Sequence, residues 1–350
     1  VTRNYTGPFV RSFLGRCRVA VAARAAGGAL VIAGALLGSP VAAAAGLPRL
    51  TIEPGTVTVS GASSGGYMAT QVQVAHASLV KGAGIFAAGP WYCARGSLTR
   101  ALGECFDKPE SAPAAAELVA EARRAAAAGR IDDTKALAED RVWVFRGSRD
   151  DKVAKPVVDA LVEFYRAFVP PANVAYVTNV AAAHGVPTVK AGAECGVTAS
   201  PYLNACDYDG VGQMLAYLYG PLQPAGTPGT TARFDQAAYD PQGSLADEGF
   251  LYVPAACTRG TPCRLHVAFH GCRQGAEFVG DAFVRGAGYD RWAETNRVVV
   301  LYPQAKKSLL MPLNPQGCWD WWGYQDADYA VRAGTQVSAI RAMVKAIAGS

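Results

Sequence analysis

Ser60-Gly61-Ala62-Ser63-Ser64-Gly65-Gly66-Tyr67-Met68 is the stretch on which the fold turns. Its centre fits G-x-S-x-G, the pattern of a nucleophile elbow. There, a strained strand-to-helix turn lifts a serine hydroxyl above the edge of a sheet. A chain with 38 glycines meets such a pattern easily, so the flanks decide. Before it, Thr56-Val57-Thr58-Val59 reads as a strand; after it, residues 66–80 read as a helix. Side chains at Gly61 and Gly65 would collide with a neighbouring strand and helix, which gives both glycines a reason. The competing reading is an ordinary Gly/Ser turn, and what separates the two is whether Ser63 has partners.

Outward from the elbow, residues 84–88, 141–146, 174–180, 251–254, 265–269 and 298–302 read as strands. Residues 114–128, 155–168, 289–296 and 330–348 read as helices. The last carries Val337, Ile340, Val344 and Ile347 at three- and four-residue spacing, a stripe for packing on a sheet. Residues 190–250, rich in Gly, Pro and Tyr, resist assignment. Strands alternating with helices predict an α/β fold, a mainly parallel sheet with helices on both faces. No repeat or Pro/Ser linker interrupts it, so residues 46–350 are expected to form a single catalytic domain.

A serine nucleophile needs an imidazole and a carboxylate. The chain has four histidines. His76 falls within the helix after the elbow, His266 alternates within a strand, and His270 ends that strand. His184 lies in a loop just past the strand expected at 174–180, where α/β active sites form, and is the candidate base. The strand at 141–146 ends in Gly147-Ser148-Arg149-Asp150-Asp151, and either aspartate can supply the acid or cap the following helix. The order serine, acid, histidine is that of the α/β-hydrolases. An oxyanion hole requires two backbone N–H groups: Ser64 supplies one, and His270-Gly271-Cys272 suggests Cys272 for the other. That second loop follows the triad in sequence, although the usual arrangement puts it first. The ordering implies a circularly permuted chain whose ends lie close together.

Residues 1–45 read as an address. Arg3, Arg11, Arg16, Arg18 and Arg24 precede a short apolar run, and Ala42 to Ala45 offer an Ala-x-Ala end, as in a secretory signal peptide. These arginines account for the formal charge of +5, leaving 28 basic and 28 acidic residues in the remainder. A neutral remainder gives no electrostatic reason to bind nucleic acid or anionic membranes. The expected location is therefore outside the cytoplasm, secreted to the medium or periplasm, with no membrane attachment after cleavage. Eight cysteines lie beyond the leader, an even number that suits disulfides in an exported chain. Proximity pairs Cys93 with Cys105, Cys195 with Cys206 and Cys257 with Cys263, leaving Cys272 and Cys318. No Cys-x-x-Cys occurs, and His266 and His270 on one strand stand roughly 13 Å apart, too far to share an ion. Neither a metal nor a cofactor is expected.

The chain resembles the extracellular poly(3-hydroxybutyrate) depolymerases with a lipase box near the mature N-terminus and a circularly permuted α/β-hydrolase catalytic domain. The elbow carries the resemblance, together with Gly89-Pro90-Trp91-Tyr92-Cys93, Gly147-Ser148-Arg149-Asp150, Ala183-His184-Gly185-Val186-Pro187-Thr188, residues 265–272, Leu301-Tyr302-Pro303-Gln304-Ala305 and Asn314-Pro315-Gln316-Gly317-Cys318-Trp319-Asp320-Trp321-Trp322. It implies the triad Ser63, Asp150 and His184, taking the first of the two aspartates. It also implies an oxyanion hole from the Ser64 and Cys272 amides, braced by a Cys272–Cys318 bridge. The implied substrate is poly(3-hydroxybutyrate) or a related short-chain polyhydroxyalkanoate or its oligomers, cleaved by a monomeric serine esterase. Apolar rings suit such a chain, and Trp91, Trp321, Trp322 and Tyr329 are the candidate contacts. Many secreted members carry a separate polymer-binding domain, which is not expected here. Two alternatives share much of this pattern: a feruloyl or acetylxylan esterase with a polar cleft, and a non-catalytic polyester-binding protein with a degenerate site.

Overall fold

The computed structural model describes residues 46–107 and 114–349; the leader assigned to residues 1–45 lies outside the described residues. In chain order the strands are β1 (Ile52–Ala62), β2 (Gly82–Phe86), β3 (Arg141–Phe145), β4 (Val174–Val177), β5 (Val186–Thr188), β6 (Ala193–Glu194), β7 (Leu203–Ala205), β8 (Ala232–Asp235), β9 (Glu248–Tyr252), β10 (Cys263–Phe269) and β11 (Val298–Tyr302). The helices are α1 (Ser64–Ala75), α2 (Leu98–Glu104), α3 (Ala115–Ala127), α4 (Lys155–Arg166), α5 (Gly210–Tyr219), α6 (Ala276–Val279), α7 (Ala282–Gly286), α8 (Tyr289–Asn296) and α9 (Thr335–Ala348).

Eight strands form one sheet in the order β4-β3-β2-β1-β10-β11-β9-β8. It is parallel from β4 through β11; β9 then runs antiparallel to β11, and β8 antiparallel to β9. Reading β8 to β11 before β1 to β4 turns the spatial order into 1-2-4-3-5-6-7-8. The N-terminal strand β1 is thus the central fifth strand of a permuted α/β-hydrolase sheet. The join this demands is present: the Leu50 N–H donates to the Ile347 carbonyl at 2.8 Å, tying the chain before β1 to the end of α9.

Side chains alternate between two apolar layers, as the two-residue period of a strand requires. In β10, Leu265, Val267 and Phe269 enter the layer containing residues of α1, α3, α4 and α9, while Ala268 enters the layer under α5 and α8. His266 also faces the second layer. Its two ring nitrogens bond Thr58 and Ser60 of the adjoining strand at 2.7 Å each, and it is fully buried.

Several boundaries differ from the sequence expectation. Strand β4 stops at Val177, because the chain beyond it is needed to hold the β3 loop: Ser148 N–H donates to Val180 O at 2.8 Å and Arg149 N–H to Ala182 O at 3.1 Å. Helix α1 ends at Ala75, so His76 caps it rather than lying within it. Helix α9 starts at Thr335, whose N–H is accepted by Asp326 Oδ2 at 2.8 Å, and residues 330–334 form turns instead. The unassigned stretch 190–250 contains α5, β8 and the strands β6 and β7, which form the small sheet β5-β7-β6 with β5. Glycines hid α5 from propensity reasoning. A Cβ at Gly210 would lie 2.7 Å from Pro187, and one at Gly212 2.5 Å from Trp292 Nε1, so close packing requires both.

Candidate active site

Ser63 stands between β1 and α1 with φ 55° and ψ −122°, a backbone that L-residues rarely adopt. Its N–H donates to Phe86 O at 2.9 Å, fixing the turn to β2. The flanking glycines are required by space. A Cβ at Gly61 would sit 2.2 Å from Gly65 O, and one at Gly65 would sit 2.4 Å from the carbonyl oxygens of Phe269 and His270. The first contact closes the turn on itself; the second brings α1 onto the end of β10. The Ser63 hydroxyl has no hydrogen-bond partner among the described residues, and it opens into a cleft of about 640 Å³ that His184 also lines.

His184 follows β4 and is 8% exposed. Its Nδ1 lies 3.1 and 3.0 Å from the two carboxylate oxygens of Asp150. Asp150 Oδ1 also accepts the N–H groups of Lys152 and Val153 at 2.8 and 3.0 Å. Burial alone would raise this carboxyl. The charge and hydrogen bond of His184, with the two amides, outweigh it and hold Asp150 below the ordinary carboxylate range. With Asp150 ionised, the His184 proton is drawn to Nδ1 and Nε2 is left as the acceptor. Asp151, the alternative acid, instead accepts the Thr198 hydroxyl at 2.8 Å, and Thr198 Oγ1 in turn accepts the His184 backbone N–H at 3.2 Å.

Arg146 was not singled out from sequence. Its guanidinium donates to the carbonyls of Val153, Gly147 and Asp150 at 3.1, 3.0 and 2.9 Å, clasping the acid loop from three sides. An arginine at a strand end just before the loop was the available signal. Gly147 is equally constrained, since a Cβ there would lie 2.1 Å from Ala182 O.

Around the expected oxyanion hole, Gly271 N–H donates to Gln274 Oε1 and Arg273 N–H to Gln316 O, each at 2.7 Å. The Cys272 N–H between them, like the Ser64 N–H, has no acceptor among the described residues. Both Gly271 and Cys272 line the cleft, and the Cys272–Cys318 disulfide ties their loop to the segment before Trp319. His270 braces this loop as a neutral ring. Its Nδ1–H donates to Gly271 O at 2.7 Å, its Nε2 accepts the Ala305 N–H at 3.1 Å, and burial lowers its pKa to about 4. Among the described residues the other six cysteines also pair: 93–105, 195–206 and 257–263.

Of the four aromatic candidates, Trp321 and Trp322 line the cleft and pack edge to face. Trp321 stacks on Tyr67 at 4.4 Å, and its buried indole N–H has no acceptor among the described residues. Trp91 and Tyr329 are corrections, for both belong to the core. Trp91 is 1% exposed and donates to Ala330 O at 2.7 Å, while Tyr329 is 2% exposed and its hydroxyl accepts the Gly96 N–H. The sequence reading missed the apolar rim: Leu98, Leu102 and Phe106 in and after α2, and Met311 and Leu313 of residues 308–314. Leu98 and Leu102 sit on a two-turn helix too short to read from its period, and Met311 and Leu313 lie in a loop.

A central elbow on a permuted, mostly parallel sheet places this molecule in the class of α/β-hydrolases, as a serine hydrolase. No family model matches the chain. It is 41% identical over 331 residues to a poly(3-hydroxybutyrate) depolymerase of Delftia acidovorans, covering 93% of this chain and 65% of that protein. It is 35% identical over 328 residues to a polyhydroxybutyrate depolymerase of Talaromyces funiculosus, covering 89% and 95%. The chain thus spans about two thirds of the Delftia relative and nearly all of the fungal one. Two solved structures superpose with TM-scores of 0.81, each over 87% of this chain and 99% of the other. One is a PHB depolymerase serine-to-alanine variant complexed with an R3HB trimer, at 34% identity; the other is the PHB depolymerase from Penicillium funiculosum, at 35%. The chain belongs to the poly(3-hydroxybutyrate) depolymerase family.

Proposed function

We propose that this protein hydrolyses the ester bonds of poly(3-hydroxybutyrate) or related short-chain polyhydroxyalkanoates and their oligomers, through an acyl-enzyme on Ser63. The observation that carries this reading is the convergence of the Ser63 elbow and the His184–Asp150 pair on one cleft with an apolar rim.

Ser63 Oγ attacks the ester carbonyl carbon as its proton passes to His184 Nε2. The oxyanion that forms accepts hydrogen bonds from the Ser64 and Cys272 amides, which are fixed before substrate arrives. Asp150 keeps the ring oriented and stabilises its protonated form. Collapse breaks the C–O bond to the leaving group, which departs as an alcohol with the proton from Nε2. Water then attacks the acyl-serine, gives its proton to His184, and the second collapse frees a carboxylic acid and restores Ser63.

The rim supports a polymeric substrate. Residues 308–314 form a hairpin pinned by paired backbone hydrogen bonds of 2.9 Å between Ser308 and Asn314. Its tip exposes Leu310 and Met311 at 80% and 87%, and Met311 lines the cleft together with Leu98 and Leu102 of α2. Apolar side chains held in water beside a cleft fit an apolar solid. Four disulfides support export. On this reading residues 1–45 are the leader, residues 46–350 are one catalytic domain, and the working form is a monomer. Among the described residues no helix is long and apolar enough to cross a membrane.

The test is clearing of a poly(3-hydroxybutyrate) emulsion by purified protein, with acid release measured against feruloyl and acetylated sugars. Ser63→Ala should lose roughly 10⁴- to 10⁶-fold in rate. Retained activity in that variant, or faster turnover of the sugar esters, would overturn the reading.

A further inference from the structure

A second cavity, of about 580 Å³, lies where the C-terminal end of α1 meets α9. No residue of the Ser63 cleft lines it. His76, the cap of α1, forms part of its wall and is 3% exposed, and its Nε2 has no hydrogen-bond partner among the described residues. Burial, reinforced by the Arg341 and Arg332 charges, keeps this imidazole neutral despite the opposing Asp132.

The charged groups facing His76 are Asp132, Arg332, Arg341 and Lys345. Asp132 is already matched. It accepts the Ser78 N–H and hydroxyl, and Arg332 donates to it at 2.9 Å. Arg341 and Lys345, one turn apart on α9, have no carboxylate partner among the described residues. Like charges at this spacing cost a helix a few tenths of a kcal/mol. Three other helical basic residues do face an acid one turn away, in Arg124–Glu121, Lys155–Asp159 and Arg285–Asp281. The α9 pair lacks such an acid, and it borders a cavity whose wall also includes Leu79 and Val344. Two unmatched cations, a buried neutral imidazole lacking a partner and an apolar wall are complementary to a compact anion with a small hydrocarbon part.

We propose that this cavity binds a small anion bearing a carboxylate or phosphate group, held by Arg341 and Lys345 with His76 as a hydrogen-bonding neighbour. Two sources share that chemistry: inorganic phosphate, and a short hydroxy acid of the kind ester hydrolysis would release. The second rests on the proposed function; the first does not.

Two titrations of the full chain separate them, one with sodium 3-hydroxybutyrate and one with sodium phosphate, at ionic strength held constant with sodium chloride. Imidazole resonances serve as the readout. Saturable movement of the His76 resonances is expected for at least one anion, whether or not those of His184 move. The Arg341→Ala/Lys345→Ala double variant, altered only at exposed positions, should weaken that binding by about tenfold or more. Melting temperature is recorded for the same variant, because a purely structural role at the helix end would change stability and leave affinity alone. Saturation by phosphate alone identifies the inorganic source, and saturation by hydroxybutyrate the organic one. The proposal is overturned by an absence of saturation with either anion up to roughly 50 mM, by a response equal to that of chloride, or by undiminished affinity in the double variant. Ester hydrolysis is assayed separately, so failure of the proposed function leaves the phosphate arm intact.

Discussion

Ser63 holds a backbone geometry suited to glycine, and that strain costs on the order of 1–3 kcal/mol. Ser63→Gly should therefore melt above Ser63→Ala although both lack the hydroxyl, a comparison that calorimetry makes directly. Thr198 offers a second test. It bridges Asp151 to the His184 backbone, so Thr198→Val should lower kcat with little change in KM. Thr198→Ser, which keeps the bridging oxygen, should restore most of the rate. We expect a loss of about tenfold for the valine variant, because a small misplacement of a base is felt strongly in the rate. If the two variants are equal, the bridge does not position His184.

At the scale of elements, the exposed hairpin tip separates attack on a solid from the chemistry of ester cleavage. Leu310→Ser/Met311→Ser should reduce hydrolysis of suspended polymer by about tenfold, equivalent to roughly 1.4 kcal/mol of lost apolar contact. Turnover of a soluble butyrate ester should stay unchanged; an equal fall in both would mean that the hairpin shapes the site instead. The same hairpin shows where sequence reading stops. The elbow and the loops bearing Asp150 and His184 were legible, because each lies where a strand pattern breaks at small or polar residues. The rim was not, since a two-turn helix and a loop give too few residues for a period to show. Nor was α5, whose glycines serve contacts with Pro187 and Trp292 rather than helix propensity. Trp91 and Tyr329 misled because aromatic composition does not distinguish a cleft wall from a core.

Across the whole molecule, one buried carboxyl couples several elements. Asp140, just before β3, accepts from Gln73 of α1 at 2.9 Å, and Gln73 Oε1 accepts the Tyr165 hydroxyl of α4 at 2.8 Å. Burial raises the Asp140 pKa to about 7. The folded state thus holds a proton that the unfolded chain releases near its ordinary value of about 4. The contribution to stability is full below that value and is lost as pH rises through about 7. Asp140→Asn cannot ionise, so its melting temperature relative to the parent should climb between pH 5 and pH 9, by an equivalent on the order of 2–4 kcal/mol. A constant difference across that range would mean that Asp140 does not titrate in the folded state.

The tie from Leu50 to Ile347 has a consequence for engineering the chain. A short peptide could splice those two segments into a continuous helix-to-strand passage, and a new opening could be cut in the chain between α5 and β8. The resulting polypeptide would meet its elements in the usual order of the α/β-hydrolase fold while building the same catalytic centre. It would show that the order of synthesis, unlike the order in space, is a free variable for this architecture.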